Sequence, residues 1–200
     1  MSEVELLHLF FSVCFLFFLL ERGYFQIKAA RTSGELTKYK EKKSILFLLG
    51  LILLVAQLWV LGSFVYIFNP SFLKWSSIPI PLLIRWIGLI LTVLGICVEI
   101  LTQFYLGRNF STLLYIRKEQ SLITTGPYRY VRHPMYTALI TVGVGLSLLS
   151  ANWYFGLPFI VTILVIIFRI NKEEEVMIKK FGEDYIQYMK TTKRFIPFLI

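Results

Sequence analysis

The chain has 200 residues, 56% of them hydrophobic, and a mean hydropathy of +0.68. That exceeds the roughly 45–50% apolar usage of soluble domains and points to one membrane domain over residues 1–200, its core a helix bundle in lipid. The net charge of +9 falls in the gaps between apolar runs rather than on a basic face, which argues against nucleic acid, and Cys14 and Cys97 lie inside apolar runs, which argues against a disulfide framework.

A bilayer core takes about 20 predominantly apolar residues per helix. The first such run covers residues 4–20; no small-residue cleavage site follows it, and Glu21-Arg22 come directly after, so it reads as an anchor rather than a signal peptide. The second and third runs are 44–68 and 82–106. Two shorter ones, 134–150 and 153–168, are separated only by Ala151-Asn152, a connection that implies an antiparallel helical hairpin. The expected fold is therefore all-α, a polytopic bundle of five transmembrane helices with a cytoplasmic C-terminal helix.

Charge tests the count. Seven Lys and Arg lie between the first and second spans, five between the third and fourth, and seven after the fifth. Five spans put all three segments on one face, so 19 of the 21 basic residues share it and only Lys74 and Arg85 fall on the other. The positive-inside rule then places the N-terminus outside and the C-terminus in the cytoplasm. Trp59, Trp75, Trp86 and Trp153 fall near run ends or in outer connections, where interfacial aromatics gather.

Three features carry polar chemistry. Within 125–145, Gly126-Pro127 marks a turn, and Pro134 suits a first helical turn while keeping His133 out of helical geometry. His133 is thus set at the cytoplasmic mouth of the fourth span, with Tyr128 and Tyr136 as aromatic faces. Taken alone, the local pattern favours an interfacial belt of tyrosines and arginines. The second feature is Arg169-Ile-Asn-Lys-Glu-Glu-Glu175, where Arg169 and Glu173 are one helical turn apart and Glu174 shares an apolar face with Met177, Phe181, Tyr185 and Tyr188. A carboxylate on such a face requires a partner or a task. Glu175 with Lys179 reads as a solvated surface pair. The third is Glu99, deep in the third span with Gln103 one turn on; it is either a functional group or a hydrogen-bonding group between helices. With only two histidines, one of them His8 in the first span, no metal site is expected.

Three ordered motifs then coincide: Gly107-Arg-Asn-Phe-Ser111, Gly126-Pro-Tyr-Arg-Tyr-Val-Arg-His-Pro-Met-Tyr136, and Arg169-x3-Glu-Glu-Glu175 followed by Phe181-Gly-x2-Tyr-x2-Tyr188 and Pro197. Together, over residues 106–197, they resemble the isoprenylcysteine carboxyl methyltransferase family, integral-membrane enzymes that use S-adenosylmethionine. The resemblance implies a cofactor pocket built from the late spans and the C-terminal helix, open to the cytoplasm. It carries cofactor contacts onto Tyr115, onto Gln120, Ser121, Leu122 and Ile123, onto Tyr128, onto His133, Pro134, Met135 and Tyr136, and onto Glu173 and Glu174. It makes Arg169 and Glu173 the catalytic pair, with Arg169 facing the methyl acceptor. Ala138 stands where the family commonly has glycine. The implied acceptor is lipophilic, a prenylated cysteine or a lipid. Competing readings are a phospholipid or other small-lipid or thiol methyltransferase, an NADPH-dependent sterol-reductase-like enzyme whose 2′-phosphate would need Arg117, Arg129 or Arg132, and a membrane scaffold without activity.

Overall fold

The computed structural model describes residues 1–31, 36–38, 43–109, 115–117 and 121–196. Helix α1 (Glu3–Arg31) opens on a reciprocal cap: the Glu5 amide donates to Ser2 Oγ at 3.2 Å, and the Ser2 amide donates to Glu5 Oε2 at 2.8 Å. The helix does not stop at the polar pair after the first apolar run. Glu21 and Arg22 find partners on a neighbouring helix, so they extend α1 instead of ending it.

Strand β1 (Leu36–Lys38) pairs antiparallel with β2 (Tyr115–Arg117), Leu36 opposite Arg117 and Lys38 opposite Tyr115. This small ribbon is a departure from the expected all-α chain, and it ties the connection after α1 to the connection after α3. Helix α2 (Lys43–Phe68) leads into a 3₁₀ segment, Pro70–Ser76, and then α3 (Leu82–Leu106). A short 3₁₀ turn, Gly126–Arg129, precedes α4 (Pro134–Ser150).

The tight hairpin is present. Ala151 adopts a left-handed conformation (φ 53°) and closes α4, and the Asn152 side chain accepts from the Tyr154 amide to open α5. That fifth helix is longer than its apolar run: α5 (Trp153–Phe181) continues unbroken through the Arg169–Glu175 cluster, which is itself helix-forming and internally paired. Gly182, at φ 56°, then breaks the chain before α6 (Glu183–Thr191), so the single helical face expected from Glu174 to Tyr188 is divided between two helices.

Among the described residues, three helices are long and apolar enough to cross a membrane: Glu3–Lys28, Leu82–Leu106 and Trp153–Phe181. Two shorter apolar stretches, Leu54–Phe68 and Pro134–Ser150, accompany them. Large apolar side chains such as Leu16, Phe17, Ile90, Leu94, Ile160 and Leu164 face outward, as lipid-facing surfaces do. The chain is an integral membrane protein.

Lipid tails are as apolar as leucine, so helix association depends on close packing rather than on water exclusion. The α3–α4 contact, the most extensive in the bundle, is built that way. A Cβ on Gly88 would lie 2.5 Å from the Leu149 nitrogen, and one on Gly145 would lie 2.6 Å from the Thr92 nitrogen. Ala138, almost fully buried, packs its carbonyl 3.1 Å from where a Cβ on Gly95 would stand. Against this pair sits an aromatic cluster: Phe11 packs edge-on to Tyr66 (4.9 Å between centroids) and beside Phe155 (5.1 Å), and Phe15 edge-on to Trp59 (5.3 Å). Trp59 is therefore core, not interface, a correction to its reading as a belt residue. Trp75 and Trp153 do behave as belt residues, exposed and edge to face at 5.2 Å.

The end of the bundle away from His133 is closed by polar ties. Arg85 Nε donates to the Leu149 carbonyl (3.0 Å), Asn152 Nδ2 to that of Leu73 (3.0 Å), and the Ile78 amide to that of Ala151 (2.8 Å). The first and third satisfy carbonyls left open where α4 ends, and the second ties the hairpin to the 70–76 segment.

Candidate functional site

Pro134 occupies the first turn of α4, and His133 before it has φ −123° and ψ 55°, outside helical space, as the X-Pro restriction requires. The amides of Tyr136 and Thr137 both bond to the His133 carbonyl (3.1 and 3.2 Å), so the ring projects from the very start of the helix. Upstream, Gly126 has φ +61° and a Cβ there would lie 2.5 Å from the Tyr105 ring, so this turn rests directly on the end of α3. The turn buries Tyr128 and leaves Tyr130 exposed.

α5 brings its cluster to the same place. Glu173 Oε1 accepts from the Tyr136 hydroxyl at 2.7 Å and from Arg169 Nε at 2.9 Å. His133 Nδ1 lies 3.8 Å from Glu173 Oε2, and the His133 and Tyr136 rings are 5.8 Å apart. Ile166 and Ile170 pack against Tyr136 beneath this group. Glu173 and Arg169 keep 22% and 20% of their side chains accessible, so the carboxylate and guanidinium are held in place yet open to a ligand. Tyr136, His133, Arg169 and Glu173 are thus one constellation.

Glu174, expected beside Glu173 as a cofactor contact, turns into the protein instead. Its side chain is 5% exposed and meets Arg132 Nε (3.1 Å), His133 Nε2 (3.3 Å) and Arg194 Nη2 (2.6 Å). Arg132 also donates through Nη1 to the carbonyls of Met189 and Thr192. The backbone joins in: the Arg132 amide bonds to the Lys193 carbonyl (2.7 Å), the His133 amide to that of Arg194 (3.0 Å), and Thr137 Oγ1 to that of Phe195 (3.0 Å). Residues 192–196 therefore form a strap across the His133 motif, and Glu174 is its ionic anchor. The strap was missed in the sequence because it is irregular backbone with no periodicity; the buried carboxylate with no assigned partner was the one signal of it.

Tyr188 of α6 reaches back to donate to the Tyr128 carbonyl at 2.6 Å. Burial pushes the phenols of Tyr128, Tyr185 and Tyr188 well up from their ordinary value, so all three remain neutral hydrogen-bonding groups.

The remaining candidates are less centrally placed. Ser121 is exposed and pairs with Asn109: its amide donates to Oδ1 and Nδ2 donates to its hydroxyl, both at 3.2 Å. That pair closes the long polar connection onto the end of α3. Leu122, Ile123 and Met135 are half-buried. Tyr115 lies on β2, its backbone opposite Lys38. Gln120, Pro197 and Phe110-Ser111 of the first motif lie outside the described residues. Among the described residues no group of His, Cys, Asp and Glu could hold a metal ion. Arg132 is committed to Glu174 and two carbonyls, which removes it from the arginines that an NADPH 2′-phosphate would require.

A family model described as phospholipid methyltransferase matches residues 83–184. Protein-S-isoprenylcysteine O-methyltransferase from Homo sapiens is 30% identical over 122 residues, covering 58% of this chain and 43% of the human one. Protein-S-isoprenylcysteine O-methyltransferase B from Arabidopsis thaliana is 30% identical over 115 residues, covering 56% and 58%. The chain thus spans about half the length of the curated relatives it matches. The solved structure of a eukaryotic intramembrane Ras methyltransferase, isoprenylcysteine carboxyl methyltransferase, superposes with a TM-score of 0.55 over 80% of this chain and 55% of that one, at 22% identity. That likeness shows a shared fold. These findings bear out the resemblance drawn from the three motifs.

Proposed function

The chain belongs to the phospholipid methyltransferase family, and from that premise we propose that it is an integral-membrane methyltransferase. It moves a methyl group from S-adenosylmethionine to a lipophilic acceptor, of which a prenylated-cysteine carboxylate is the first choice. The observation that carries the reading is the accessible Glu173 carboxylate, fixed between Tyr136 and Arg169 beside the His133 ring.

The residue chemistry fits such a cofactor. Glu173 offers a carboxylate to its hydroxyl or ammonium groups, with the His133 ring beside it and the buried Tyr136 holding it through its hydroxyl. When bound, S-adenosylmethionine supplies a methyl carbon on a positively charged sulfur. An acceptor that is already a carboxylate needs no general base, so the task left to the protein is alignment, which can supply roughly 7–11 kcal/mol. Tyr136 and Arg169 hold Glu173 in one rotamer. Arg169, with a planar guanidinium, is the group suited to receive the acceptor carboxylate. Glu174 and the strap fix the His133 end of the site.

In this reading five helices span the bilayer, with the N-terminus outside and the site and C-terminal helix in the cytoplasm. Support comes from the charge distribution and from the β1–β2 pairing, which joins two of the three basic segments. The family description favours one alternative, an amine of a phospholipid headgroup as acceptor.

Calorimetry of the detergent-purified protein tests the cofactor: S-adenosylhomocysteine binds and NADPH does not, and the reverse overturns the reading. Radiolabelled methyl transfer to S-farnesylcysteine, compared with phosphatidylethanolamine, decides the acceptor. Arg169→Ala lowers transfer to the carboxylate acceptor by more than it weakens S-adenosylhomocysteine binding, which it also loosens by releasing Glu173.

A further inference from the structure

Away from the site, α1 and α3 share a buried polar cluster that the proposed reaction does not use. Arg22 Nη1 donates to Glu99 Oε1 at 2.6 Å. Gln103 Nε2 donates to Glu21 Oε1 at 2.5 Å and approaches Glu99 Oε1 at 3.5 Å. Glu21, Glu99 and Gln103 are each more than nine-tenths buried. Two carboxyl groups therefore face one guanidinium. Among the described residues, Glu99 and Arg22 are the charged groups acting on Glu21; α4 carries no charge, and α2 carries none after Lys43 at its start.

The hydrogen-bond accounting has a matching gap. Among the described residues, Glu21 Oε2, Gln103 Oε1 and Glu99 Oε2 are buried without partners. The first two belong to the two planar groups already joined through Glu21 Oε1 and Gln103 Nε2, and both are acceptors when Glu21 is ionised. A buried acceptor without a donor and a buried uncompensated charge are each costly in the low-dielectric interior of a membrane protein. One proton on Glu21 removes its charge and supplies the donor that Gln103 Oε1 lacks, leaving Glu99 Oε2 on the carboxylate that faces Arg22.

We infer that Glu21 is a proton-binding site: it is a neutral carboxylic acid whose O–H donates to Gln103 Oε1 while Gln103 Nε2 donates to Glu21 Oε1. The acid and the carboxamide pair side by side across the α1–α3 contact. Glu99 stays ionised against Arg22, and the cluster is electroneutral. Two residues beyond Gln103, the Tyr105 ring lies against Gly126. The proton thus secures the end of α3 on which the Tyr128 turn rests.

Infrared difference spectra of the full chain in lipid nanodiscs at neutral pH, wild type minus Glu21→Gln, test this. The expected result is one protonated-carboxyl carbonyl band, sensitive to deuterium exchange and missing from the variant. An ionised-carboxylate band in its place overturns the inference. An amide reproduces the acid's donor and acceptor, so Glu21→Gln is expected to melt within about 2 °C of wild type, whereas Glu99→Gln strands Arg22 and melts several-fold further below it. Equal losses in the two variants, or failure of Glu21→Gln to fold, also overturn it. None of these readouts depends on methyl transfer.

Discussion

The Tyr136 hydroxyl on the first turn of α4 donates to the Glu173 carboxylate of α5 at 2.7 Å. This bond joins the two motifs across 37 residues of sequence and sets the carboxylate that also accepts from Arg169. Hydrogen bonds to charged groups contribute about 1.5–3 kcal/mol. Tyr136→Phe is therefore expected to lower the melting temperature by several degrees and, with Glu173 no longer fixed, to weaken S-adenosylhomocysteine binding by about tenfold or more in calorimetry. Glu173→Gln loses more affinity, since it also removes the charge. Wild-type affinity in both variants would place the cofactor elsewhere.

Glu174 behaves differently from its neighbour. Removing a buried ion that holds several partners costs roughly 3–5 kcal/mol, and Glu174 holds Arg132, His133 and Arg194. Glu174→Ala is expected to lower thermal stability in detergent sharply. Arg194→Ala loses less, because that side chain is 40% exposed and Arg132 continues to serve the carboxylate. Scanning fluorimetry of the two variants side by side gives the ranking; the opposite order would remove the anchor role.

The α3–α4 seam makes a prediction about the fold. Gly145 lies where a Cβ would meet the Thr92 nitrogen at 2.6 Å and the Gly88 carbonyl at 2.8 Å, both backbone atoms that cannot swing aside. Gly145→Val forces the helices apart. Overpacking of this kind costs about 1–3 kcal/mol. By contrast, a Cβ on Gly50 in α2 has no neighbour within 4 Å, and Gly50→Ala is expected to leave the melting temperature unchanged or slightly raised. Parallel melts of the two variants check the contrast.

Much of this was legible in the sequence, for reasons that differ by residue. Pro134 announced the start of α4 and the non-helical geometry of His133 because proline acts locally on the backbone. The hairpin at Ala151-Asn152 was legible from spacing alone. The lengths of α1 and α5 were not: Glu21-Arg22 and Arg169–Glu175 look like stop signals, yet the first pair is satisfied by partners on α3 and the second cluster pairs largely within its own helix. The division of residues 174–188 was hidden in the single positive φ of Gly182. Glu99 required a partner, yet nothing in the sequence singled out Arg22, 77 residues away. Glu173 and Glu174 show the same limit at the site. Helical spacing predicts that adjacent carboxylates diverge, but not which one remains open to a ligand.

Tyr188 supplies a test of how α6 supports the site. Its hydroxyl donates to the Tyr128 carbonyl at 2.6 Å, which ties α6 to the 126–129 turn. Burial pushes this phenol up, so its folded-state pKa lies above the unfolded value. For an acid, that means the neutral form is favoured on folding: the stabilisation is fully present below the unfolded tyrosine pKa near 10 and is lost as pH rises above it. Tyr188→Phe is expected to cost about 1 kcal/mol at neutral pH. Because the variant has no phenol to ionise at this position, the wild-type advantage shrinks under alkaline conditions and the two melting curves converge. A gap that stays constant from neutral pH to well above 10 would mean that the Tyr188 hydroxyl does not hold Tyr128 in place.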